Sequence, residues 1–184
     1  MHWVEMYNCT QKDTNHANVR FERVSRYDNH TVEDCSFHHG LGRALEFTKA
    51  SGINVKRNNI YWFFQFGMYF DDSSSINVDD NVVMGIHERD LGQLLDDAID
   101  EEGGYYICMY TNCPGVSITN NAAIGTRLAG FFTPSHACGE EATQTVFRGN
   151  WAHSINGFGA WSLRNKGLGN DCQQISHFKV YRTM

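Results

Sequence analysis

The sequence predicts an all-β fold, a right-handed parallel β-helix (solenoid) of about five to seven rungs with inserted loops. Three observations carry that expectation. An alternating apolar phrase with a polar corner recurs, at its most regular, every 23 residues. The corner carries Asn in successive copies. Gly (17) and Asn (16) are plentiful while Pro (2) is scarce, the composition of a chain with many short strands and many tight corners.

The copies of the phrase are Thr31-Val32-Glu33-Asp34-Cys35-Ser36-Phe37, Asn54-Val55-Lys56-Arg57-Asn58-Asn59-Ile60 and Asn77-Val78-Asp79-Asp80-Asn81-Val82-Val83. Ser117-Ile118-Thr119-Asn120-Asn121-Ala122-Ala123 and Val146-Phe147-Arg148-Gly149-Asn150-Trp151-Ala152 follow. Their corner residues fall at 35, 58, 81, 121 and 150, with steps of 23, 23, 40 and 29. The excesses over 23 fall in polar stretches at about 86–104 and 134–144, which read as inserted loops. Repeat architectures accept such insertions on one face. A further strand follows each corner: Ala44-Leu45-Glu46-Phe47, Gly67-Met68-Tyr69-Phe70, Tyr106-Ile107-Cys108-Met109, Gly130-Phe131-Phe132-Thr133 and Gly159-Ala160-Trp161-Ser162. Each segment is too short for a helix and alternates like a strand. One coil cannot bury its apolar face; stacked coils close a common core.

Stacking predicts two vertical columns. Asn58, Asn81, Asn121 and Asn150 should form a structural ladder of side-chain amides, with Cys35 in the first rung. Glu33-Asp34, Lys56-Arg57 and Asp79-Asp80 occupy one pair of corner positions in three rungs, so opposite charges alternate about 4.8 Å apart. The acidic stretch 90–102, with Leu91, Leu94, Leu95 and Ala98 at helical spacing, reads as a short helix in the larger insertion. Its charge suits a solvated face better than a calcium or basic-partner site.

The chain of 184 residues is read as a single β-helix segment over 1–184, a fragment of a longer ectodomain, because neither end carries a cap. Val19–Val24 is strand-like near the start, and 174–181 reads as a rung beginning. Net charge is −6, without a Lys/Arg block that would track a nucleic-acid backbone. No apolar run reaches the roughly 20 residues that span a bilayer, and the first residues lack the pattern of a signal peptide.

Six cysteines stand at 9, 35, 108, 113, 138 and 172, an even number that suits three disulfides or six thiols. Zinc would need a second close pair beside Cys108 and Cys113. The nine histidines form no ligand pattern, and the neighbours His38 and His39 would point to opposite sides of a strand. No metal site, cofactor or catalytic residue is assigned. Hydrolysis of a glycan would require carboxylates converging on one face. Asp71-Asp72 and Asp79-Asp80 belong to different sides of a coil, and His136 and His153 flank the late rungs without a nucleophile. Trp62, Phe63 and Trp161 are aromatic candidates for stacking on a sugar or a protein partner, although most of them should be core.

The residues resemble the fibrocystin (polyductin-like) family of very large cell-surface proteins. The resemblance lies in Tyr7-Asn8-Cys9-Thr10-Gln11-Lys12-Asp13, Phe37-His38-His39-Gly40-Leu41-Gly42 and the rungs from Gly52 to Ile86. It continues in Asn121-Ala122-Ala123-Ile124-Gly125, Ala129-Gly130-Phe131, His136-Ala137-Cys138-Gly139 and Gly149-Asn150-Trp151-Ala152-His153-Ser154. The resemblance implies an extracellular β-helix at a cell or ciliary membrane, acting as a structural or ligand-binding scaffold. The alternative it implies is a glycan depolymerase of the cell-surface hyaluronidase type. Implied partners are neighbouring β-helix or ectodomain modules, glycans or surface proteins, with no nucleic acid. An extracellular setting implies disulfides: Cys9 with Cys35, Cys108 or Cys113 with Cys138, and Cys172 with a remaining thiol. The sequons at Asn8 and Asn29 are candidate glycan acceptors.

Overall fold

A computed structural model describes residues 1–10, 16–25, 30–87, 102–108, 113–133, 136–137, 146–162 and 173–184. Among them every regular element is a strand. Three parallel sheets wrap one core in about five complete turns, a solenoid of the expected kind. Sheet A holds five strands: His30–Glu33, Ser51–Lys56, Ser74–Asp79, Ser117–Thr119 and Val146–Arg148. Sheet B holds seven: Glu5–Tyr7, Ser36–His38, Asn59–Phe63, Val82–Ile86, Ala122–Ile124, Trp151–His153 and Lys179–Tyr181. Sheet C holds six: Ala17–Glu22, Arg43–Thr48, Phe66–Asp71, Gly103–Ile107, Ala129–Phe132 and Phe158–Trp161. Among the described residues, each strand within a sheet pairs in parallel with its equivalents in the coils before and after, and the end strands pair on one side.

Alternation decides what the core contains. Inward residues of sheet A (Val32, Val55, Val78, Ile118, Phe147) meet those of sheet B (Phe37, Ile60, Val83, Ala123, Ala152), and all are buried. Sheet C contributes a face-to-face column in which Phe21, Phe47 and Phe70 have centroids 5.3 and 4.8 Å apart. Tyr105 is buried on Phe131 at 4.6 Å. Its hydroxyl lies 3.1 Å from the carbonyls of Asn81 and Ala122, tying sheet C to sheet B. Burial pushes its phenol pKa well up, because the anion would have no water.

The corner between sheets A and B is a column of left-handed residues. Trp3, Asp34, Arg57, Asp80, Asn120, Gly149 and His177 all have φ between 52° and 71°. Left-handed backbone costs a non-glycine residue about 1–2 kcal/mol, so something must hold these corners. The next residue does so. Asn58, Asn81, Asn121 and Asn150 are buried in a continuous chain of bonds. The Asn58 amide donates to Asn81 Oδ1 at 2.9 Å, that of Asn81 to Asn121 Oδ1 at 2.9 Å, and that of Asn121 to Asn150 Oδ1 at 3.1 Å. Each Oδ1 also accepts the backbone N–H of the preceding rung. Each amide also reaches a sheet A carbonyl, from Val32, Val55, Val78 or Ile118. Cys35 closes the series: its N–H donates to Asn58 Oδ1 at 3.0 Å, and its thiol donates to the Glu33 carbonyl.

Three expectations are corrected here. Sheet C places Tyr105 opposite Met68, so Gly104, not Tyr106, stands at the position of Gly67. The reason is space: a Cβ on Gly104 would lie 2.7 Å from the Gly130 carbonyl and 3.0 Å from Ala123 Cβ. Cys9 and Cys35 are both free thiols, because Cys35 is buried in the ladder column while Cys9 is exposed at the opposite corner. Cys108 is bonded to Cys113 rather than to Cys138. That bridge joins the end of the sheet C strand Gly103–Ile107 to the residues before the sheet A strand Ser117–Thr119, and the Cys113 sulfur accepts from the Ser73 N–H at 3.3 Å. Cys138, Cys172, Asn29, the proposed helix over 90–102 and most of both insertions lie outside the described residues. Gln173–Gln174 pairs antiparallel with His136–Ala137, outside the three sheets, whereas Lys179–Tyr181 does add a strand to sheet B.

Replacing Asn81 by Ala should cost about 3–5 kcal/mol, because the Asn58 amide and N–H and the Val55 carbonyl lose buried partners together. Urea denaturation measures it, and a loss under about 1 kcal/mol would remove the ladder as the organising element. Cys35→Asn should instead be tolerated, since it extends the same column by one rung.

Candidate functional site

The second corner, between sheets B and C, shapes the outer surface. Asn8, His39, Trp62, Gly85, Gly125, Ser154 and Arg182 follow equivalent strand ends, and all have φ between 49° and 64°. The backbone is the same at each level, so the side chains alone set the relief. His39 and Trp62 stand out from it; Trp62 is 49 % exposed. Gly85 and Gly125 leave the next two levels bare. A Cβ built on Gly125 would meet nothing nearer than 3.8 Å, and one on Gly85 nothing nearer than 3.5 Å.

The result is a trough of about 340 Å3 whose lining includes His87, Thr126, Arg127, Ser154 and Asn156. Trp62 stands beside it, its ring centroid 4.3 Å from that of His87. His87 Nε2 is buried without a hydrogen-bond partner and is the atom nearest to the vacant Cβ position of Gly85. A buried polar nitrogen without a partner is costly, so a ligand group that bonds to it gains what the free protein lacks. An aromatic face, a cation and several amide or hydroxyl groups thus surround a small depression.

The other two aromatic candidates are packed rather than free, as expected for most of the set. Phe63 is fully buried in the core, because its strand position points inward. Trp161 is partly buried on the outer face of sheet C, stacked on Phe132 at 5.6 Å. On that same face Tyr69 and Tyr106 stack at 4.5 Å, and the Arg43 guanidinium lies 3.7 Å from the Tyr69 ring centre. His153 bonds to the Ser154 hydroxyl at 2.8 Å, and the strand carrying His136 belongs to the separate ribbon. His38 and His39, expected on opposite sides, are on one side, since the left-handed corner at His39 turns the chain back. Asn8 is exposed at this corner, where the glycan of its sequon would extend into solvent.

Among the described residues, carboxylates converge beside His2. Ligand atoms of His2, Glu33 and Asp34 lie within 4.8 Å of one another. Arg57 fills the role of counter-ion there, 2.7 and 2.9 Å from the Asp34 oxygens and 3.5 Å from Glu33. The hydrogen bonds from Arg57 hold Asp34 below the ordinary carboxylate range, the opposite of what a proton-donating acid needs. The bond joins the first and second members of the expected charge column; in the third, Asp79 accepts instead from the Thr119 hydroxyl at 2.6 Å and the Asn120 amide at 3.0 Å. Asp71 and Asp72 end a sheet C strand, at a different corner from Asp79 and Asp80. The buried Glu46 is held by Arg20 and Arg43, each at 3.2 Å.

A family model described as a right handed beta helix region matches residues 3–166. No curated protein and no solved structure matches the chain.

Removing the guanidinium with Arg57→Leu should raise the Asp34 pKa toward the ordinary value of 3.8, measured by side-chain NMR titration. The folded-state pKa is depressed, so the pair stabilises above the unfolded value and that contribution is lost as pH falls through the folded one. An unmoved titration would show that the pair is a surface coincidence.

Proposed function

The chain belongs to the right-handed β-helix family, and from that premise we propose that it is a non-catalytic, extracellular ligand-binding scaffold whose trough takes an acidic glycan. The carrying observation is the bare Gly85–Gly125 trough beside Trp62, with unpaired His87 and with Arg127 on its lining. A sugar ring stacks its C–H face on Trp62 and presents a carboxylate to Arg127 and hydroxyls to Asn156 and Ser154. Rungs repeat at about 4.8 Å, so the trough from Trp62 to Ser154 accommodates a short run of sugar units along the solenoid axis.

The extracellular setting, at a cell or ciliary surface, is supported by the fibrocystin resemblance and by the Cys108–Cys113 disulfide. Neighbouring β-helix modules are the proposed protein partners. The alternative, a depolymerase of the hyaluronidase type, would use converging carboxylates, and the pair at Glu33 and Asp34 is neutralised by Arg57.

Titration calorimetry with uronic-acid oligosaccharides and their neutral counterparts tests the reading. Binding should favour the uronates and weaken at least about ten-fold in Trp62→Ala and in Arg127→Ala. Gly125→Asn keeps the left-handed backbone accessible and should block the trough. Equal binding in all three variants would refute the site, and shortening of the oligosaccharides would favour the depolymerase.

A further inference from the structure

One rung before the trough, two imidazoles face each other. His38 is an outward residue of sheet B and is 7 % exposed, fixed by its stack on Tyr61 with centroids 4.7 Å apart and planes 2° from parallel. Its Nε2 lies 2.8 Å from Glu5 Oε1. An ionised carboxylate can only accept, so that nitrogen carries the proton. In the neutral ring, Nδ1 is therefore a lone-pair donor. Nδ1 of His39 lies 2.9 Å from it. His39 is exposed, and its ring packs edge-on to Tyr61 and near Trp62, with centroids 5.7 and 5.9 Å away.

We propose that His38 and His39 form a bidentate site for a divalent transition ion of tetragonal preference, Cu(II) above all, through the two Nδ1 atoms. Among the divalent first-row ions Cu(II) binds nitrogen ligands most tightly, and two imidazole nitrogens 2.9 Å apart need only a turn of the exposed ring to converge on one ion. In the free protein His39 donates its Nδ1 proton across the pair. On metal binding that proton leaves, the exposed His39 ring turns and is protonated on Nε2 instead, and both lone pairs point at the ion. No proton is lost overall and no electron is transferred. Glu5 is a positioning residue: its hydrogen bond fixes the His38 tautomer and ring orientation, as carboxylates behind metal-bound histidines do. The remaining coordination positions face solvent.

The test is Cu(II) titration of a Cys9→Ser, His2→Ala background, which removes the exposed thiol and the amino-terminal histidine as competitors. One ion should bind per chain, with an electron paramagnetic resonance signal coupled to two imidazole nitrogens and with quenching of Trp62 fluorescence. His39→Ala, exposed and therefore fold-neutral, should weaken binding more than about ten-fold and leave one coupled nitrogen. Glu5→Gln should retain the signal but weaken binding about ten-fold. Binding undiminished in His39→Ala, or a signal without imidazole coupling, would overturn the proposal. Oligosaccharide binding by His39→Ala is a separate readout, since the metal pair and the trough stand on different residues.

Discussion

The structure depends on a hydrogen-bonded column of four asparagine amides, buried at the turn from sheet A to sheet B. A solenoid must turn sharply in every coil, and each turn costs left-handed backbone and a break in the strand ladder. The asparagine at the turn offsets both. Its oxygen takes the backbone N–H that the corner strips from the preceding rung together with that rung's side-chain amide, and its nitrogen donates to a sheet A carbonyl and to the next amide. Because these bonds run between rungs, they also fix register: a slip of one residue would move the apolar set outward and break the column at once.

That double role explains why so much of the fold was legible in the sequence. A side chain needed at one corner of every coil leaves a periodic mark, and Asn58, Asn81, Asn121 and Asn150 could be aligned even though 40 and 29 residues separate the later ones. The alternating charges beside them were legible for the same reason, and Arg57 on Asp34 is their physical form. Sheet C has no such marker. Its inward residues range from Leu45 to Tyr105, and the third copy was set two residues out of place. The constraint that fixes it, lack of room for a Cβ at Gly104, depends on atoms of the next rung, Ala123 and Gly130, that lie about 20 residues or more away in sequence.

The site was less legible, for a related reason. Strand alternation assigns residues to faces only while the backbone is extended. At the sheet B–C corner a left-handed residue breaks the alternation, so His39 returns to the side of His38 instead of crossing the sheet. Likewise Trp62 could be named as an aromatic candidate, but not the vacancy beside it, because Gly85 and Gly125 read as ordinary turn glycines. Their meaning comes from stacking: each is the bare member of a column whose other members bear side chains. The disulfide pairs implied by the resemblance joined different rungs, whereas Cys108 is bonded to Cys113, five residues along the chain.

Scaffold and surface are thereby decoupled. At the sheet A–B corner, the residue after the turn is dictated by burial, and substitution there would disturb three rungs. At the sheet B–C corner the left-handed residues face solvent, and any side chain that tolerates the backbone can be placed there without touching the core. The strain is similar at His39, Trp62 and Ser154, so glycine would be the conformationally easier choice at all of them. Its confinement to two adjacent rungs, between a tryptophan and a serine, therefore creates relief that backbone preference does not require. Such relief, on a frame held by an independent set of bonds, can change its ligand without endangering the fold.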